Sequence, residues 1–293
     1  MRKLVLVHGR SQQHRDAKEL KHEWLGSLRA GLRAAGITAE MDDADAAFPY
    51  YGDTLHELSS DSRRPAANVV VAGVNDADEA EREFISAVVA DAVAARGVSQ
   101  AQIRAEAGAD VIEKGAQNWP WVLGALRALD RLPGIGGAGL SLVTHDVFMY
   151  LRNSGVQRVI DQGLRDAIRP DEETIIVAHS LGSVVAYNVL AREAAAGGWL
   201  IPSLITLGSP LGMRAIVDRL APVVHPDGVG RWFNAFDFAD TVALHPLDAA
   251  HFPVSPPVEN YGEVHNPTPN RHGISGYLSD PTVARRIHAA LIG

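Results

Sequence analysis

The chain opens on a short apolar run, "KLVLVHG" at 3–9, β-branched and stopped by glycine, which predicts a buried strand. In the stretch that follows, 16–36, Leu20, Trp24, Leu25, Leu28 and Leu32 recur at three- and four-residue steps and Gly36 closes the run. That spacing predicts an amphipathic helix with a glycine stop. A second strand is expected at "ITAEM" (37–41), which makes the opening strand, helix, strand, the unit from which parallel sheets are built.

The pattern is harder to order between about 42 and 140. It holds an acidic, aromatic loop ("MDDADAAFPYYGD"), an apolar run "NVVVAGV" (68–74) that reads as a strand, a helical segment near 78–95 and a second helix around Trp121 to Arg131. "LPGIGGAGL" (132–140) reads as a flexible connector, and 62–140 as an inserted cap or lid on a core made from 1–61 and 141–293. Beyond the connector the pattern sharpens. "THDVFMYLRN" and "VQRVIDQGLRDAI" are helical, 174–180 is a strand, a helix runs from Gly182 to about Ala196, and strands follow at 203–210 and 231–236. Asp280 and Pro281 offer an N-cap and first-turn pair for a terminal helix. The alternation predicts an α/β fold, a predominantly parallel sheet flanked by helices.

Composition narrows the function classes. With 46% hydrophobic and 21% charged residues over 293 positions, the chain is neither disordered nor fibrous. The net charge is -8 and the basic residues are scattered apart from Arg63-Arg64 and Arg285-Arg286, so the basic stripe of a nucleic-acid binder is missing. There is no cysteine, which excludes disulfides, thiol catalysis and cysteine-ligated metals. "MRKLVLVHGR" has too short an apolar run for a secretory signal, and no run approaches the roughly 18 apolar residues of a spanning helix. The expected protein is soluble and cytoplasmic, with no transmembrane segment.

The chemistry begins at "IIVAHSLGSVVAYNVL" (175–190), where an apolar run meets a helical one at Ser180. A strand that becomes a helix within two residues brings two backbones close together, so small residues are needed on both sides; Ala178 and Gly182 stand there. The apex residue is pushed into an unfavourable backbone region and projects from the carboxyl end of the sheet. This is a variant of the G-x-S-x-G nucleophile elbow with Ala in the first glycine position, and it resembles the α/β-hydrolase-fold serine hydrolases, lipases and esterases especially.

That resemblance implies the rest of a site. The backbone N–H of Leu181 would be one oxyanion donor, and "VLVHGRSQQ" resembles the family's His-Gly signature, making Arg10 N–H the second. The base comes last in the chain order, and His272, in a Pro-, Asn- and Gly-rich loop before the last helix, occupies the family's usual place; His265 and His251 are the alternatives. The orienting acid follows a late strand, as Asp240 or Asp237 in "WFNAFDFADTVAL". The sequence departs from larger relatives in beginning directly at the His-Gly strand and in carrying Ala178.

The expected function is therefore an esterase- or lipase-like serine hydrolase working through Ser180, His272 and Asp240, with no cofactor and no metal, on a small-molecule or lipid ester. The same triad also serves thioesters and amides, and a hydrolase fold that binds without turnover is the rival. Phe48, Tyr50, Tyr51, Trp119 and Trp121 either line an acyl pocket under a lid or pack the insertion's own core. Arg10 either reaches an anionic group of the substrate or makes a surface salt bridge. "GIGGAG" (134–139) fits the dinucleotide fingerprint G-x-G-x-x-G but does not leave a strand, "DDADAA" (42–47) lacks the later ligands of a calcium loop, and His14 and His22 have no third ligand at metal spacing.

Overall fold

Successive side chains of a strand point to opposite faces, and when both faces are covered the strand is apolar throughout. The first strand, β1 (Lys3–Val7), is built this way: Leu4 and Leu6 enter one core, Val5 and Val7 the other. The computed structural model describes residues 2–9, 15–39, 42–52, 79–107, 118–132 and 136–293. In chain order the elements are β1, α1 (Ala17–Ala34), β2 (Ala46–Ala47), α2 (Glu79–Ala95), α3 (Gln100–Ala107), α4 (Trp119–Asp130), α5 (Gly137–Arg152), α6 (Ser154–Ala167), β3 (Thr174–His179), α7 (Leu181–Glu193), β4 (Ile201–Leu207), α8 (Arg214–Leu220), β5 (Val229–Ala235), β6 (Glu259–Tyr261), α9 (Ile274–Leu278) and α10 (Pro281–Ile292).

Among the described residues six strands form one parallel sheet in the order β2-β1-β3-β4-β5-β6, an α/β architecture. The direction of strand addition reverses between β1 and β3, and in such sheets the crevice at the carboxyl ends beside that switch point is where ligands bind. Register aligns Val7 with Ala178, Ala178 with Thr206 and Thr206 with Asn234, so His8, Ser180, Gly208 and Asp237 leave the sheet along one edge.

On one face α1 and α10 lie against the sheet, with Leu25, Leu28 and Leu32 meeting Leu4, Ile175, Val283 and Ile287. Burying each of those leucines contributes roughly 1.5–3 kcal/mol relative to exposure. Helix α1 is capped by Asp16, which accepts from the N–H groups of Lys18 and Glu19, and the chain turns out of it at Gly36, whose φ is 74°. The other face carries α5, α6 and α7, over which α2 and α4 pack; Phe84, Val88, Val122 and Leu126 belong to the same continuous core as Ile176 and Val185. No helix among the described residues is long and apolar enough to cross a membrane.

Several sequence expectations are corrected. Residues 37–39 do not form a strand: the Ile37 N–H is spent on Leu32 O in closing α1, and β1 pairs instead with Ala46 and Ala47. The glycines at 136 and 137 are not part of a flexible connector. Helix α5 begins at Gly137, where a Cβ would lie 2.2 Å from Leu126 O, so glycine there permits helix contact with α4. Beyond β5 the sequence pattern predicts no strand before the terminal helix, and the structure adds β6, three residues long and too short to show a period. The predicted strand at 68–74 lies outside the described residues.

Candidate active site

The turn from β3 into α7 is tight because its neighbours lack side chains. A Cβ on Gly182 would sit 2.4 Å from Val7 O and 2.5 Å from His8 O, and one on Gly9 would sit 2.9 Å from Ser180 Cβ. Both glycines are therefore demanded by the approach of β1 to the elbow. Ser180 at the apex has φ 55° and ψ −129°, a conformation that costs a residue with a Cβ on the order of 1–3 kcal/mol. Its N–H is tied to Leu207 O at 3.1 Å and its carbonyl accepts from Ser183 N–H at 2.9 Å, which hold the strained residue in place. Leu181 is the first residue of α7, so its N–H belongs to the group of amides with no intrahelical acceptor, where the helix dipole favours negative charge.

Ser180 Oγ lies 2.8 Å from His272 Nε2, and His272 Nδ1 lies 2.7 Å from Asp240 Oδ2. Beside a fully buried carboxylate Nδ1 carries the proton, which leaves Nε2 to accept from the serine hydroxyl. Three residues separated by up to 92 positions thus form one hydrogen-bonded line. Of the alternatives, Asp237 does not meet the imidazole. It accepts from Ala239 N–H and Asn266 N–H and so ties the acid loop to the loop that carries His272. His265 is exposed, and His251 pairs with Asp248 at 2.8 Å and stacks on His245, away from Ser180.

The loop around His272 is held at many points. Asn266 Nδ2 donates to Gly273 O, Gly273 N–H donates to Thr268 Oγ1, and His272 N–H donates to Asn270 Oδ1. His179, the residue before the serine, donates Nε2–H to His272 O at 2.8 Å and lies against its ring at 4.7 Å. Burial first, and the neighbouring imidazole second, push His179 well below the ordinary histidine range, so it is neutral. The acid loop is braced from α2's end, where Arg96 donates to the carbonyl oxygens of Phe238 and Asp240. Tyr277 of α9 donates its hydroxyl to Asp240 Oδ2 at 2.6 Å, and Val242 N–H donates to Oδ1 at 2.8 Å.

His8 ends β1 fully buried. The N–H of Tyr51 donates to its Nε2 at 3.0 Å, so Nδ1 carries the proton and donates to Gly9 O at 2.6 Å. Burial holds its pKa down at about 4. The Tyr51 ring stacks on it at 3.9 Å, and the Tyr51 hydroxyl donates to His8 O. Arg10, the second expected oxyanion donor, lies outside the described residues.

A cavity of about 310 Å³ opens beside Ser180 and His272, walled by Trp24, Val143, Val242 and Ile274 with Glu23 and Asn270 among its polar members. Tyr50, Tyr51, Trp119 and Trp121 are not among the residues lining it. Tyr50 and Tyr51 surround His8, while Trp119 and Trp121 are buried in the helical core, Trp121 Nε1 donating to Gln100 Oε1. No group of three or more potential metal ligands occurs among the described residues.

Sequence reasoning missed His179, Arg96, Gly208 and Tyr277. Only Gly208, a glycine directly at a strand end, carried a local signal; the other three act through neighbours distant in sequence. No protein-family model and no curated protein matches this chain.

Proposed function

We propose that the protein is a serine hydrolase that cleaves carboxylic esters through an acyl-enzyme. The observation that carries this reading is the unbroken line Ser180 Oγ, His272 Nε2, His272 Nδ1, Asp240 Oδ2, with steps of 2.8 and 2.7 Å, set on a strained strand-to-helix turn at the switch point of a parallel sheet.

In this reading Ser180 Oγ attacks the acyl carbon as His272 Nε2 takes its proton, and Asp240 stabilises the imidazolium that forms. The oxyanion of the tetrahedral intermediate is held by the N–H of Leu181 at the start of α7. The imidazolium returns its proton to the leaving alkoxide. Water, deprotonated by His272, then attacks the acyl-enzyme and regenerates Ser180. The neighbouring cavity holds the acyl or alcohol portion, and its mixed apolar and polar wall favours a small ester over a long lipid chain.

The test is labelling with a fluorophosphonate probe and peptide mapping, with Ser180→Ala and His272→Ala in parallel. Adduct on Ser180 that disappears in both variants, together with turnover of a short-chain aryl ester, is the expected result. A folded protein that neither labels nor hydrolyses esters, thioesters or amides would overturn the assignment and leave a fold that binds without turnover.

A further inference from the structure

Asp240 is fully buried, and among the described residues its carboxylate is held by three donors: Val242 N–H on Oδ1, and both His272 Nδ1–H and the Tyr277 hydroxyl on Oδ2. The two donors on Oδ2 compete for the same oxygen. Tyr277 is itself fully buried, and its oxygen accepts from Asp237 N–H at 3.2 Å, which leaves its own proton to go to Asp240. A buried phenol needs a partner, and this one has been given the triad carboxylate instead of a backbone carbonyl. Arg96 approaches the same residue but bonds to its main-chain oxygen. Among the described residues the ion-pair partner of this carboxylate is His272.

We infer that Tyr277 is a positioning residue for the triad, and that by sharing Asp240 Oδ2 with His272 it sets the lower pH bound of activity. The inference rests on the serine-hydrolase reading for its kinetic consequence, though not for its geometry. A phenolic donor draws off part of the negative charge that Oδ2 presents to the imidazole. Without it, Asp240 and His272 together hold a proton more tightly, whichever of the two carries it. His272 is then protonated, and useless as a base, up to a higher pH. The phenol itself stays neutral throughout, since burial and then the adjacent carboxylate raise it well above the ordinary tyrosine range.

Other charged or titratable groups face this cluster: Asp237 and Arg96 beside Asp240, Arg271 within 3.8 Å of Asp237, His179 against both rings, His8 behind His179, and Glu23 of α1 across the cavity. All of them remain when only the hydroxyl is removed. Tyr277→Phe keeps the ring that packs on Gly208, so it isolates the shared oxygen.

The experiment has two readouts. The first is the pH profile of ester kcat/KM, with fluorophosphonate labelling rate as a second kinetic measure, for the wild type and Tyr277→Phe. The acidic limb is expected to move up by about one pH unit in the variant, so that well below the limb its activity relative to its own plateau falls about tenfold. The second readout needs no variant: in wild-type protein labelled with 13C at tyrosine Cζ and histidine Cε1, the Tyr277 resonance should shift with the same midpoint as His272. A folded Tyr277→Phe with an unchanged limb, or a Tyr277 signal that ignores the His272 titration, would overturn the inference. If the wild type neither labels nor turns over, the hydrolase reading fails by itself, and the resonance experiment still decides whether Tyr277 is coupled to the pair.

Discussion

Gly208 lies against the bond between His272 and Asp240: at φ 56°, a Cβ added there would be 3.2 Å from His272 Nδ1, 3.2 Å from Asp240 Oδ2 and 2.9 Å from a ring carbon of Tyr277. The end of β4 is thus the floor under the hydrogen-bonded line of Ser180, His272 and Asp240, and glycine is required for its backbone angle and for its missing side chain. Gly208→Ala is expected to cost on the order of 1–3 kcal/mol of stability and to displace the imidazole enough to lower kcat/KM by roughly 100-fold. Urea unfolding and steady-state kinetics on the same sample check both. Wild-type kinetics in the variant would mean that the floor gives way cheaply.

The two carboxylates of the acid loop do different work. Asp240→Asn places an amide opposite Nδ1, favours the wrong imidazole tautomer and should lower kcat by about 10⁴-fold with little change in fold. Asp237→Asn weakens the ties to Ala239 and Asn266, so its expected effect is a loss of stability of about 1–3 kcal/mol with a much smaller change in kcat. A reversed pattern in the kinetics of the two variants would reassign the acid.

Strain at Ser180 is measurable by comparing two variants that lack its hydroxyl. Ser180→Ala and Ser180→Gly both delete the hydroxyl, but only glycine adopts φ 55° with ψ −129° without penalty. The glycine variant should be more stable than the alanine variant by about 1 kcal/mol or more, read from chemical unfolding. Equal stabilities would show the turn to be unstrained.

His8 makes stability depend on pH. Its pKa is lowered from the ordinary 6.5 to about 4, chiefly by burial, so below 6.5 the unfolded chain binds a proton at this residue that the folded chain refuses. The stability this contributes is complete above 6.5 and is lost as pH falls towards 4, a loss of about 3 kcal/mol across that window. Unfolding free energies measured between pH 7 and 4 should fall less steeply for His8→Asn than for the wild type. Parallel curves would show that His8 is protonated in the fold. Buried His179 adds to the slope in the same direction in both proteins, chiefly through its own burial.

Much of this protein was legible before folding. The strands β1 and β3 are apolar on both faces because helices cover both, and the helical stripe of α1 ends at Gly36 where a left-handed residue is needed. The elbow was legible for the same local reason: a strand and a helix joined at one serine, with small residues beside it, can be recognised within about ten positions. Glycine was the least readable residue. Gly137 fell in a stretch that reads as a flexible connector and is instead a contact with Leu126, because a missing side chain looks the same in sequence whether it frees the backbone or lets another backbone approach.

The sequence by itself determined the α/β alternation, the serine at the strand-to-helix joint and a short set of acids and histidines in order after it. Tertiary structure alone decided that Asp240 and not Asp237 faces His272, that Trp119 and Trp121 are core residues and not cavity wall, and that Tyr277 joins the carboxylate. The physical reason is range. Backbone propensity and side-chain periodicity are local and are written into neighbouring residues, whereas a hydrogen bond between positions 32 or 37 apart depends on how two loops and a helix pack at the end of a sheet, and no spacing along the chain encodes that angle.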